Sequence, residues 1–149
     1  MQTQNKNIPG VGVILIHGGK FLLQLRDDNP DILNPNKWGF VGGGIDQGEK
    51  PEEAIERECM EEIGIIPNSL MYIGHTSDSK FRFYAYLSDQ EVEKLHLGEG
   101  QEIRFFAPHE MSELNTTPRV KAFFNEYRQA VEKFINREEV TAEDLGLEK

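Results

Sequence analysis

The stretch that most constrains this chain is residues 42–64, where three glycines are followed by a segment built to be a helix. Pro51 suits the first position of a helix and Gly64 the left-handed position that ends one, so a helix is expected over residues 51–63. At 3.6 residues per turn, Ile55, Cys59 and Ile63 share one flank, the side that should face a core. Beside them Glu58 and Glu62 lie about 40° apart, one turn above each other, and Glu61 lies about 60° to the other side of Glu58. Arg57 stands one turn before Glu61, close enough to pair with it. A solvated helix face, the plain alternative, normally mixes signs at i,i+4. This one stacks three carboxylates, which calls for a cation, and a hard divalent ion such as Mg²⁺ takes oxygen ligands of this kind.

The rest of the chain reads as strands around that helix. Residues 11–16 and 21–25 are β-like runs joined by His17-Gly18-Gly19-Lys20, a hairpin turn rather than a phosphate loop, since no helix follows it. Residues 26–37, rich in Asn, Asp and Pro, form a loop, and residues 38–41 form a short strand ending at the glycines. Residues 70–76, 81–87 and 101–107 are further strands. Thr117 is a cap and Pro118 the first turn of a final helix reaching residue 135, with Val120, Phe123, Phe124, Tyr127, Val131, Phe134 and Ile135 as its apolar stripe. Residues 1–8 are expected to fray and residues 137–149 to be a loose charged tail, leaving residues 9–136 as one α/β domain with a mixed sheet between helices. The aromatic-rich last helix is a candidate homodimer surface.

Composition narrows the function. A net charge of −10 over 149 residues argues against a general nucleic-acid-backbone binder. One cysteine excludes an internal disulfide framework, and the four histidines show no metal-binding spacing. With no basic-then-apolar leader and no run of membrane-spanning length, the cytoplasm is the expected compartment and no membrane partner is expected.

Gly43, Glu49, Arg57, Glu58, Glu61, Glu62, Gly64 and Ile65 stand in the order GX5EX7REUXEEXGU, where U is aliphatic. The segment resembles the Nudix box of the Nudix hydrolases; Cys59 fills one aliphatic position, and Val41 stands where many members have proline. The resemblance implies an α/β/α sandwich and hydrolysis of a nucleoside diphosphate linked to another moiety, with Mg²⁺ or Mn²⁺. It implies Glu58 and Glu62 as main metal ligands, with Glu61 and the Gly42 carbonyl as further ones. Arg57 would orient the glutamates and Glu49 would support the loop and helix.

In MutT-like members a general base comes from outside the box, at a position that Glu99, between Gly98 and Gly100, resembles. Glu102 competes with it, and Glu99 is preferred because a loop glutamate between glycines can swing onto a metal. Arg26, Arg82, Trp38 and Gly43 are candidate substrate contacts. For the arginines, Arg104 included, a solvated strand end is the favoured plain reading, and for Trp38 it is core packing. Tyr84 and Tyr86 are read as core, and Cys59 as a small buried residue and not a nucleophile. In its short length and its Gly98-Glu99-Gly100-Gln101 loop the chain resembles MutT-like members, which implies a (deoxy)nucleoside triphosphate as substrate. Nucleotide sugars, dinucleoside polyphosphates and a non-catalytic nucleotide-binding regulator are the alternatives.

Overall fold

The computed structural model describes residues 8–149, so most of the segment expected to fray lies outside the described residues; Ile8 is exposed. Strands β1 (Gly10–His17) and β2 (Lys20–Leu25) form the expected hairpin, with Ile16 opposite Phe21 and His17 opposite Lys20. β3 (Trp38–Gly39) and β4 (Val41–Gly44) follow, then helix α1 (Pro51–Ile63), β5 (Met71–His75), β6 (Lys80–Tyr86), α2 (Asp89–Lys94), β7 (Glu102–Phe106), α3 (Pro118–Glu126) and α4 (Arg128–Ile135). The strands make one mixed sheet in the order β3-β2-β1-β6-β5, with β4 also paired to β1 and β7 to β2. β1 runs parallel to β6 and antiparallel to its other neighbours.

Alternation along β1 builds the two layers. Val11, Val13 and Leu15 face α1 and bury Ile55, Cys59 and Ile63. Ile14 and Ile16 face the other way, against Val120, Phe123 and Phe134 of α3 and α4. Each fully buried Leu, Ile or Phe contributes about 1.5–3 kcal/mol, so the apolar stripe read from sequence fixes α1 on the sheet. Burial also pushes the Cys59 thiol far above its usual range, which removes it as a nucleophile. The helix ends as expected: Gly64 sits at φ 77°, and its N–H donates to the Met60 carbonyl at 3.2 Å. No helix among the described residues is long and apolar enough to cross a membrane.

Four local expectations differ from the structure. The glycines do not end a strand; they are β4 itself, with Gly42, Gly43 and Gly44 opposite Gly12, Val11 and Gly10. The last helix is two, broken at Tyr127 (φ −111°, ψ 46°), because its apolar spacing continues through the break and carries no mark of it. α2 was not foreseen, although Ser88 and Glu91 form a capping box at its start. Finally, residues 137–149 are packed, not loose. Val140, Ala142 and Leu145 are buried, His75 and Glu148 exchange backbone hydrogen bonds at 2.8 Å, and Lys133 holds Asp144 at 2.9 Å. The charges in that segment hid its three apolar anchors. The aromatic stripe of α3 and α4 packs on the chain's own sheet.

Candidate active site

α1 presents its carboxylates to β4, and the glycines there leave room for them. Glu58 and Glu62 are each only 1% exposed. The Gly42 N–H donates to Glu62 Oε2 at 3.3 Å, and a β-carbon on Gly43 would lie 2.4 Å from Glu58 Oε2. Burial, followed by the neighbouring Glu58, pushes the Glu62 carboxyl well above the usual carboxylate range, and Glu99 adds to the effect.

Arg57 clasps this edge from one side. It donates through Nε and Nη2 to Glu49 at 2.8 and 2.9 Å, through Nη1 to Glu58 at 2.6 Å and to Glu61 at 3.3 Å, and through Nη2 to the Gly44 carbonyl at 3.0 Å. Glu49 also accepts from the Asp46 N–H, so it ties loop, arginine and helix together. The Glu49 hydrogen bond is the largest influence holding the Arg57 charge in place, and Arg57 in turn lowers the Glu49 carboxyl. Among the described residues Arg57 bonds to Glu58 and to no oxygen of Glu62.

No three acidic or histidine side chains among the described residues converge into a ready metal cage. Glu58 and Glu62 lie side by side, and Glu61 is held near Glu58 by the same Arg57 nitrogen, Nη1. That donor set fits Mg²⁺, which keeps several waters and uses one or two carboxylates together with substrate phosphates.

The loop after α2 closes the site. The Gly98 N–H donates to the Glu62 carbonyl at 2.9 Å, which seats the loop on the end of α1. Gln24, a polar residue 1% exposed near the end of β2, donates to the Glu99 carbonyl at 2.9 Å. Gln101 donates to the Arg26 carbonyl and to Asn36. Glu99 is thereby brought near Glu62, whereas Glu102 lies on β7 and pairs with Arg104. Gln24 was missed, although one polar residue inside the run Lys20-Phe21-Leu22-Leu23-Gln24-Leu25 is a legible sign of a buried hydrogen-bonding duty.

The candidate substrate contacts divide. Arg26 is no solvated strand end: it is 7% exposed, donates to the Leu33 carbonyl at 2.9 Å and feels the charge of Glu62. With Gly42, Phe40 and Arg119 it lines a cavity of about 220 Å³ beside the acidic edge. Arg82 is also part-buried and lines an adjoining cavity of about 230 Å³. Trp38 takes the favoured core reading, 8% exposed and edge-on to Phe106 at 4.8 Å. Arg104 is exposed, over the Trp38 ring. Arg119 lies outside the residues the sequence singles out; a lone arginine after a proline in the first turn of a helix has no distinguishing pattern.

The NUDIX domain family matches residues 6–127. This chain belongs to the Nudix hydrolase family. The Nudix chain is 41% identical over 68 residues to a protein of Marinomonas sp. (strain MWYL1) named RNA pyrophosphohydrolase; that match covers 46% of this chain and 39% of the relative. Its fold is similar to a MutT/Nudix family protein from Listeria innocua, with a TM-score of 0.66 and 22% identity over 89% of this chain and 99% of the other. It is also similar to the NUDIX domain of Shewanella oneidensis NrtR, whose structure contains ADP-ribose, with a TM-score of 0.63 and 17% identity over 87% and 89% of the two chains.

Proposed function

We propose that this Nudix protein is a Mg²⁺- or Mn²⁺-dependent pyrophosphohydrolase acting on a nucleoside diphosphate linkage. The preferred substrate is a (deoxy)nucleoside triphosphate, giving the monophosphate and pyrophosphate. The observation that carries this reading is the buried Glu58–Glu62 pair, seated against Gly42 and Gly43 and clasped by Arg57. Burying two carboxylates side by side costs several kcal/mol per ion unless a cation compensates. A cation bound there, with Glu61 and the Gly42 carbonyl completing its ligands, would polarise the phosphoryl oxygens of the substrate. The chain's own residues do the rest. Arg57 and Glu49 fix Glu58, and Arg26 meets the anionic substrate at the cavity mouth. Glu99 takes the proton of the attacking water as the bond from phosphorus to the bridging oxygen breaks.

A second reading is favoured by the Marinomonas relative: a 5′-triphosphate on an RNA end as the substrate. The same bond would be cut, and only the group beyond the ribose differs.

The test is a panel with Mg²⁺: nucleoside and deoxynucleoside triphosphates, ADP-ribose, a nucleotide sugar, a dinucleoside polyphosphate and a short 5′-triphosphorylated RNA. Release of monophosphate and pyrophosphate from a triphosphate is the expected result. Tight binding of one compound with no turnover of any would establish a nucleotide-binding regulator instead.

A further inference from the structure

The cavity lined by Arg82 holds two arginines, Arg82 and Arg119. A β-carbon built on Gly12 would lie 2.8 Å from Arg119 Nη1 and 3.7 Å from Arg82 Nη1, so both guanidiniums converge over this glycine. Arg82 Nη1 is buried and has no hydrogen-bond partner. Arg119 is an exposed residue whose guanidinium reaches into the cavity mouth over Gly12, and partial desolvation there lowers its pKa. Neither forms an ion pair among the described residues. The acidic charge that reaches both is Asp78, which is engaged by the Thr76 hydroxyl. Burial, with Arg119 beside it, strongly disfavours the Arg82 charge, but a guanidinium stays protonated at neutral pH. Arg119 also stands in the first turn of α3, where the helix dipole adds positive potential and no acidic residue opposes it. In a chain of net charge −10, this is a local surplus of positive charge in the wall of a cavity.

The sheet register places this surplus relative to the acidic edge. Gly12 is opposite Gly42 on one side and Arg82 on the other. Two strand spacings therefore separate Arg82 from the glycine that holds Glu62, roughly 10 Å. Gly12, Phe40 and Arg119 line both cavities, so the two adjoin. The far wall of the Arg82 cavity is Leu145, Gly146 and Leu147, beyond the residues matched by the family.

Resting on the function proposed above, we propose that Arg82 and Arg119 form a second anion subsite. It takes a phosphate carried by the nucleoside part of the substrate, away from the diphosphate that is cut. A phosphate accepts paired charge-assisted hydrogen bonds from guanidinium groups and offsets both charges at once; a neutral base or sugar offsets neither. A ribose-linked phosphate on a mononucleotide and the first internucleotide phosphate of an RNA 5′ end share this chemistry.

The subsite is read without turnover by melting the full chain in EDTA with increasing inorganic phosphate. Phosphate should raise the wild-type melting temperature. Arg82→Met and Arg119→Gln should each weaken phosphate binding roughly tenfold or more, while Arg104→Met and Glu58→Gln keep it. Arg82→Met should also melt higher than wild type in the absence of phosphate, since it removes an uncompensated buried charge. No wild-type shift, or an equal shift in both cavity variants, overturns the subsite whatever the hydrolysis panel gives. In the presence of Mg²⁺, kcat/KM is then compared for ATP, adenosine 3′-phosphate 5′-triphosphate and a 5′-triphosphorylated dinucleotide. A preference for either doubly anionic compound that disappears in Arg82→Met supports the assignment and names the source. Equal kcat/KM for all three, with ATP turned over, overturns it.

Discussion

Gly43 and Glu58 are in such close contact that the strand can carry no side chain at this point: an added β-carbon would lie 2.4 Å from Glu58 Oε2 and 2.5 Å from its carboxyl carbon. The glycine fixes where one carboxylate of the buried pair sits. Gly43→Ala should therefore push the Glu58 carboxylate aside by about an ångström. A displacement of that size costs on the order of 10²-fold in turnover. The measurement is kcat with Mg²⁺, alongside a far-ultraviolet dichroism spectrum that stays like wild type. Unchanged kcat would mean that the position of Glu58 does not govern the chemistry.

Arg57 offsets the negative charge of Glu58 and makes two hydrogen bonds to Glu49, a geometry that lysine cannot reproduce. In EDTA, Arg57→Met should lose about 2–4 kcal/mol of stability, because it removes the guanidinium that bonds the buried Glu58 carboxylate. Mg²⁺ should restore part of that loss. Arg57→Lys should fall in between. Urea melts with and without Mg²⁺ provide the check, and a metal effect no larger in Arg57→Met than in wild type would count against the buried pair as the cation's seat.

The same residues show what a sequence can disclose. Helical periodicity marks both stripes of α1, since the spacing of Ile55, Cys59 and Ile63 is a local property and so is that of Glu58, Glu61 and Glu62. The strands are legible for the same reason. Pairing across the sheet is not: that Gly12 lies between Gly42 and Arg82 depends on register between distant segments. The arginine cavity needs three such segments together, β1, β6 and the start of α3, and no one of them looks unusual alone. The break at Tyr127 and the docking of residues 137–149 are likewise set by packing, through Val140 and Leu145 entering the core beside α4.

Glu99 and Glu102 are separated by the structure, one turned toward the acidic edge and the other paired with Arg104. Glu99→Gln keeps shape and hydrogen bonding while removing the proton acceptor, so kcat should fall by about 10²–10⁴-fold with little change in melting temperature. Glu102→Gln should retain kcat within a few fold. Side-by-side turnover of the two variants on the best substrate of the panel decides it, and normal turnover by Glu99→Gln would end its candidacy as general base.

Asp144 anchors the wall of the arginine cavity. Its carboxylate accepts the Thr141 N–H at 2.9 Å and pairs with Lys133 at 2.9 Å; these interactions, the Thr141 backbone first, hold it below the usual range. A lowered pKa in the folded state stabilises the fold at pH values above the unfolded value, near 3.9. That contribution fades as pH falls through the folded value. The carboxylate lies near the surface, so screening limits the effect to a few tenths of a kcal/mol, with a similar amount from the backbone bond. Asp144→Asn should therefore be slightly less stable than wild type at pH 7 and equal to it in strong acid, measured by urea melts across pH. Removing residues 137–149 altogether should cost more, about 3–5 kcal/mol at any pH, because Val140 and Leu145 leave the core with them. It should also abolish the wall at Leu145 to Leu147 and weaken discrimination between substrates with and without the extra phosphate. A truncated chain as stable and as selective as the full one would show that the segment merely rests on the surface.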